Sequence, residues 1–265
     1  MHQSSLLKMQ AFRDVYLAGS ATPLRVLDVG SMAYELHDTY RPLFDGPSSD
    51  GPGYDYVGLD LAAGPNVDVV PDDAYNWAGI PSGSFDAVIS GQMLEHNPYF
   101  WITLAEITRV TKPGGLVCII APSWGFTHRY PLDCWRFFPD AASAMFGYVG
   151  LDTVEAYVEE KDPNKAVSTM WADMMAIGRK ADVGASEQAA LDERLRQIVA
   201  TRPSTRLGVD LPPVGPAIER YEQVVGAMVA PAPVRATTLV ARVKQHVPLR
   251  LKAAVRELVG PARGR

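Results

Sequence analysis

Short apolar runs, each closed by an acid or a small residue, recur through the first 180 residues. "LRVLDVG" (24–30), "YVGLDL" (56–61), "NVDVV" (66–70), "FDAVIS" (85–90) and "LVCIIA" (116–121) are five of them. Runs this short and this apolar predict strands covered on both faces, the pattern of a mostly parallel sheet. Helical spacing intervenes: Leu7, Ala11 and Val15 lie on one face of a helix over 4–18 that Gly19 stops, and 100–110 predicts another before "TKPGG" turns into the fifth strand. Strands alternating with helices form a doubly wound α/β sheet, in which ligands bind at the carboxyl ends of the strands.

After a helix predicted over 140–146 the pattern changes. "LDTVEAYVE" (151–159) and "WADMMAIGRK" (171–180) carry no helix between them and predict an antiparallel pair at the sheet edge, for seven strands in all. Beyond residue 181 the composition turns to Ala, Arg, Val and Pro, with an amphipathic helix predicted over 186–200 and, after a Pro-rich connector, another helix near 217–229. The expected organisation is one domain over 1–181 and a helical accessory region over 182–265 with a basic tail.

Charge and cysteine content narrow the partners. The net charge is −5, yet residues 235–265 hold eight Lys/Arg and one acid, leaving an acidic body. Nucleic acid is not an expected partner, because neutralising phosphates needs a basic face. Two cysteines, Cys118 and Cys134, offer neither a disulfide framework nor paired metal-ligand spacing, and no signal or membrane-spanning run is visible. A cytoplasmic protein is expected. "LRLKAAVRELVG" (249–260) predicts a basic amphipathic helix suited to packing on the acidic body, to a homodimer or, less simply, to an anionic membrane surface. "DGPSSDGPG" (45–53) reads as a surface insertion.

In order along the chain stand "VLDVGS" (26–31), "VGLDL" (57–61), "DDAYNW" (72–77), "FDAVISGQMLEH" (85–96) and "KPGG" (112–115). With the terminal strand pair, this series resembles the class I S-adenosylmethionine-dependent methyltransferases over roughly residues 20–180. The resemblance implies cofactor contacts at Asp28, Gly30 and Ser31, at Asp60 and Leu61, at Asp73 and Ala74, and at Gly91 and Gln92. The chemistry agrees: Gly30 permits close backbone approach, Asp28 can neutralise an α-ammonium, and Asp60 can accept from both ribose hydroxyls. The turn departs from the family in reading Gly30-Ser31-Met32-Ala33 rather than carrying further glycines. A nicotinamide enzyme would need G-x-G-x-x-G and an acid about 20 residues on, and neither is present.

The segment "THRYPLDCWRFFPD" (127–140) follows the fifth strand and carries far more functional side chains than a connecting loop needs. Transfer of a methyl group to a hydroxyl requires alignment and a proton acceptor. His128 suits the acceptor role, Asp133 can orient it, and His96 is a second candidate base. Arg129, Tyr130, Trp135 and Arg136, with Tyr40 and Arg41 of "YRPLF", are candidate substrate contacts; the bland reading of Trp135 and Arg136 is a helix seal and a structural ion pair. Glu95, His96, His128 and Asp133 together offer an oxygen and nitrogen set for Mg²⁺. The run also resembles a bacterial subgroup acting on saccharides and glycosylated natural products, which implies O-methylation of a small, sugar-containing acceptor. Carboxyl methylation, using Arg129 or Arg136, is the alternative, and a binding protein without activity a third. The Asn/Asp-Pro-Pro-Tyr segment of base-amine methyltransferases is absent after the fourth strand.

Overall fold

In the computed structural model, which describes residues 3–33, 39–45, 52–159, 170–203, 211 and 213–229, six strands form one sheet. They are β1 Leu24–Val29, β2 Tyr54–Leu59, β3 Phe85–Gly91, β4 Thr111–Pro122, β5 Leu151–Val158 and β6 Asp173–Lys180, in the order β2-β1-β3-β4-β6-β5. The first four run parallel, and β6 is antiparallel to both β4 and β5. The expected terminal pair therefore closes the sheet with its second strand inserted and reversed.

Alternation along each strand explains the apolar runs. Val26 of β1 faces the cluster that holds Met9, Phe12 and Leu17 of the N-terminal helix, whereas Leu27 and Val29 face the cluster of Ile102, Leu104 and Phe146. Both faces are buried, so both sets of alternate positions are largely apolar. Helix α1 Gln3–Phe12 continues through a π-helical turn, Arg13–Leu17, and the chain turns at Gly19 with φ 77°. A short α2 Arg41–Phe44 precedes β2, and α3 Phe100–Val110 occupies the predicted range. Helix α4 Pro139–Val149 runs three residues past its predicted end and stops at Gly150 in the left-handed conformation.

The seventh strand does not form. "NVDVV" makes one parallel bridge, Val69 to Leu59. Pro65 and Pro71 flank it, Asn66 has φ 69°, and the Asp68 carboxylate takes the Gly58 N–H at 2.7 Å. A side chain thus occupies a ladder donor, and the flanking prolines remove two others.

The chain divides into compact units at 1–209 and 210–265. Helix α5 Ala185–Ala200, expected at the start of an accessory region, packs on α3 within the first unit and contributes Leu195, Ile198 and Val199 to its core. Helix α6 Pro216–Val229 belongs to the second unit. The predicted basic helix at 249–260, and residues 46–51 of the 45–53 insertion, lie outside the described residues. Among the described residues no helix is long and apolar enough to cross a membrane.

Candidate active site

The register of β1 to β4 brings their carboxyl ends to one edge, over a cavity of about 710 Å³. Asp28, Gly30, Ser31, Asp60, Leu61, Ala74, Gly91 and Gln92 all line it. Gly30 turns the chain with φ 84° while its N–H donates to Leu59 O at 2.9 Å. A Cβ there would lie 2.6 Å from Met93 Cγ. Asp28 is 2% exposed and accepts a hydrogen bond from Tyr56 Oη at 2.5 Å. Burial pushes its carboxyl up to about 7 in spite of that bond. At the end of β2, the Asp60 carboxylate accepts from Met32 N at 3.0 Å and Leu61 N at 2.6 Å. It therefore anchors the turn after β1 while lining the cavity, with lone pairs remaining.

Asp73 stands apart from the cavity, which Ala74 lines in its place. Partial burial would raise its carboxyl, but hydrogen bonds from Tyr75 N and from the Arg202 guanidinium hold it below the ordinary value. Arg41 is likewise absent from the lining. Its guanidinium donates to Asn66 Oδ1 and to Asp68 Oδ2, both at 2.5 Å, and lies over the Tyr56 ring.

The end of β3 carries a contact that the sequence alone did not reveal. Tyr40 lines the cavity but is 2% exposed, and its hydroxyl sits 2.5 Å from Ser5 Oγ of α1. Ser4 Oγ donates to the buried Asp173 carboxylate, which also accepts from Gln92 Nε2 at 3.2 Å. Gln92 holds the left-handed conformation, φ 58°. The sequence signal for this contact is faint, two adjacent serines in a helix that also carries Gln3, Lys8 and Gln10. A Cβ on Gly91 would lie 1.9 Å from Tyr40 Oη, and Tyr40 is boxed in by Ser5. Gly91→Ala is expected to displace Tyr40 and lower stability by about 1–3 kcal/mol, read as a shifted denaturation midpoint; an unchanged midpoint would refute the tight contact.

Past β3 a 3-10 turn, Leu94–His96, delivers Glu95 and His96. Glu95 is 0% exposed with neither carboxylate oxygen hydrogen-bonded, and burial pushes its carboxyl up to about 8. Its main-chain carbonyl accepts from Cys134 N at 2.7 Å and Trp135 N, which fastens the segment after β4 against this turn. His96 Nδ1 donates to Leu132 O at 2.5 Å, and its Nε2 lies 3.6 Å from Glu95 Oε1. The His128 ring is 4.9 Å from that of His96, centroid to centroid. Asp133 accepts from His128 N at 2.8 Å and lies 3.6 Å from His128 Nδ1.

The remaining candidates divide. Tyr130 lines the cavity and is 58% exposed. Asp133 stands behind His128, paired with Arg136 at 2.5 Å, and Arg136 also donates to Phe126 O. Trp135 donates to Asn97 O at 3.0 Å and packs edge-on against Phe100 and Trp101, as the sealing reading expects. Arg129 is exposed and outside the cavity. Among the described residues no Lys or Arg lines the cavity, whereas Asp28, Asp60 and Glu95 do.

These carboxyls make a pH prediction. Asp28 and Glu95 are raised in the fold, so their stabilising contribution is full below about pH 4 and lost as pH rises through about 7 and 8. Burial lowers His96, which acts in the opposite direction around its ordinary value near 6.5. The melting temperature of the ligand-free protein is therefore expected to fall from pH 6.5 to 8.5; a flat or rising profile would contradict the assigned burial.

Residues 53–119 match the family described as a methyltransferase domain. No curated sequence matches the chain. Among solved structures it is similar to a 1,6-didemethyltoxoflavin-N1-methyltransferase of Burkholderia thailandensis with bound 1,6-didemethyltoxoflavin and S-adenosylhomocysteine. That likeness has 18% identity and a TM-score of 0.49, and covers 68% of this chain and 80% of that one. It is also similar to a SAM-dependent methyltransferase of Aquifex aeolicus, at 15% identity and TM-score 0.43 over 67% of this chain and 98% of that one. Identities this low say nothing of the acceptor. The match over residues 53–119 and the six-stranded, mostly parallel sheet with its reversed inserted strand agree with the class I methyltransferase fold.

Proposed function

We propose that the chain transfers a methyl group from S-adenosylmethionine to a hydroxyl of a small, sugar-containing acceptor. The observation that carries this reading is one cavity holding both the acids of the strand ends and the imidazole of His128. The donor set fits the cofactor: a buried Asp28 for the ammonium and Asp60 with spare lone pairs for the ribose, with Gly30 and Gly91 lining the cavity beside them. Ser31 and Leu61 flank these contacts, Ala74 faces the adenine side, and Asp73 supports Ala74 from behind through Tyr75 N and Arg202. When bound, the cofactor supplies a sulfonium-activated methyl group.

The chain's own residues then have two tasks. His128 accepts the hydroxyl proton, and the Asp133 carboxylate at 3.6 Å stabilises the imidazolium that results. Tyr130 offers an exposed aromatic face to the sugar ring. The carboxyl alternative is weakened by the lining, since an acidic acceptor would meet Asp28, Asp60 and Glu95 and no guanidinium among the described residues. The test is methyl transfer from labelled S-adenosylmethionine to a panel of glycosides and, in parallel, of small carboxylic acids. Label appearing in the glycosides is expected; base-labile label confined to the acids would overturn the hydroxyl reading.

A further inference from the structure

Glu95 presents a chemical problem that methyl transfer does not solve. A fully buried carboxyl with two unpartnered oxygens is costly, and this one lines a cavity without a cationic side chain among the described residues. Two imidazoles accompany it. Glu95, His96 and His128 each offer a ligand atom, all within 4.8 Å of one another. Two ligands held about 2.1 Å from a tetrahedral ion stand about 3.4 Å apart, and His96 Nε2 lies 3.6 Å from Glu95 Oε1. The imidazole of His96 is already oriented for ligation, because Nδ1 donates to the Leu132 carbonyl and leaves the Nε2 lone pair on the Glu95 side. A backing acceptor of this kind is what ligating histidines generally have. The Asp133 carboxylate faces the second ring from behind at 3.6 Å from His128 Nδ1, a distance of charge attraction and not of hydrogen bonding.

We propose that Glu95, His96 and His128 bind a divalent first-row transition ion of the zinc class in the acceptor cavity. Two imidazoles and one carboxylate suit such an ion and suit Mg²⁺ poorly, since Mg²⁺ takes oxygen ligands and retains water. Asp133, grouped with these three in the sequence reading, supports the site from behind instead of ligating. Three protein ligands leave the ion at least one open position. An acceptor oxygen bound there would release its proton to water more readily, and His128 would then act as a ligand rather than as the base. The binding site rests on its own geometry and does not need the hydroxyl reading.

The experiment uses the full chain, stripped with chelator and titrated calorimetrically with zinc sulfate, with magnesium chloride in parallel. Expected are one zinc per chain, binding weaker by about 100-fold or more in Glu95→Gln and in His128→Gln, and weaker binding of magnesium than of zinc. Titration of each variant with S-adenosylhomocysteine checks that it folds, since neither residue is placed against the cofactor. No zinc bound by the wild type, or zinc bound equally by both variants, overturns the site. Failure of S-adenosylhomocysteine to bind the wild type would instead remove the cofactor reading and leave the zinc result standing.

Discussion

Replacing Asp60 with alanine is expected to weaken S-adenosylhomocysteine binding by a hundredfold or more in calorimetric titration. A hydrogen bond to a charged group contributes about 1.5–3 kcal/mol, and a carboxylate at the tip of β2 can accept two from a ribose. The same side chain ties Met32 N and Leu61 N. Its loss therefore also loosens the turn that the cofactor must cross, so the effect should exceed that of the ribose contacts alone. Asp60→Asn separates the contributions: its amide oxygen can still accept from Met32 N while the charge is gone, and intermediate affinity is expected. Equal affinity in wild type and Asp60→Ala would remove Asp60 from the cofactor site.

His128→Gln is expected to lower kcat by about 10²–10⁴-fold, the usual contribution of a positioned base, while affinity for S-adenosylhomocysteine stays unchanged. An alcohol is a poor nucleophile until its proton is taken, and glutamine cannot take it. A carboxylate acceptor is already ionised, so under the alternative reading the same variant turns over almost as fast as the wild type. Single-turnover transfer to an acceptor found in the panel decides between them. Zinc content measured on the same sample shows whether His128 works as base or as ligand.

Some of this was legible along the chain. The ranges of α3 and the terminal strand pair follow from hydrophobic period and from turn residues, which act over a few neighbours. Asp28, Gly30, Asp60, Gly91 and Gln92 stand at strand ends, and in a parallel sheet all strand ends meet at one edge. Naming the strands therefore located that half of the cavity. The seventh strand failed because apolar content does not report that Asp68 would take a ladder donor. Arg41 reads as a substrate contact because charge in a loop is visible, while the carboxylate that occupies it is 27 residues distant; for Arg136 the structure has the ion pair that the sequence offers as its second reading.

What the sequence by itself determined is the class of fold, the position of the ligand edge and the residue types available there, since these depend on local period and on strand order. Tertiary structure alone decided which of those residues share the cavity. Ser5 and Tyr40 meet across 35 positions, and Leu132 reaches His96 across 36. The meeting of Glu95, His96 and His128 depends on how the chain returns after β4, and that return is set by packing and hydrogen bonding between segments far apart in sequence, which no local pattern encodes.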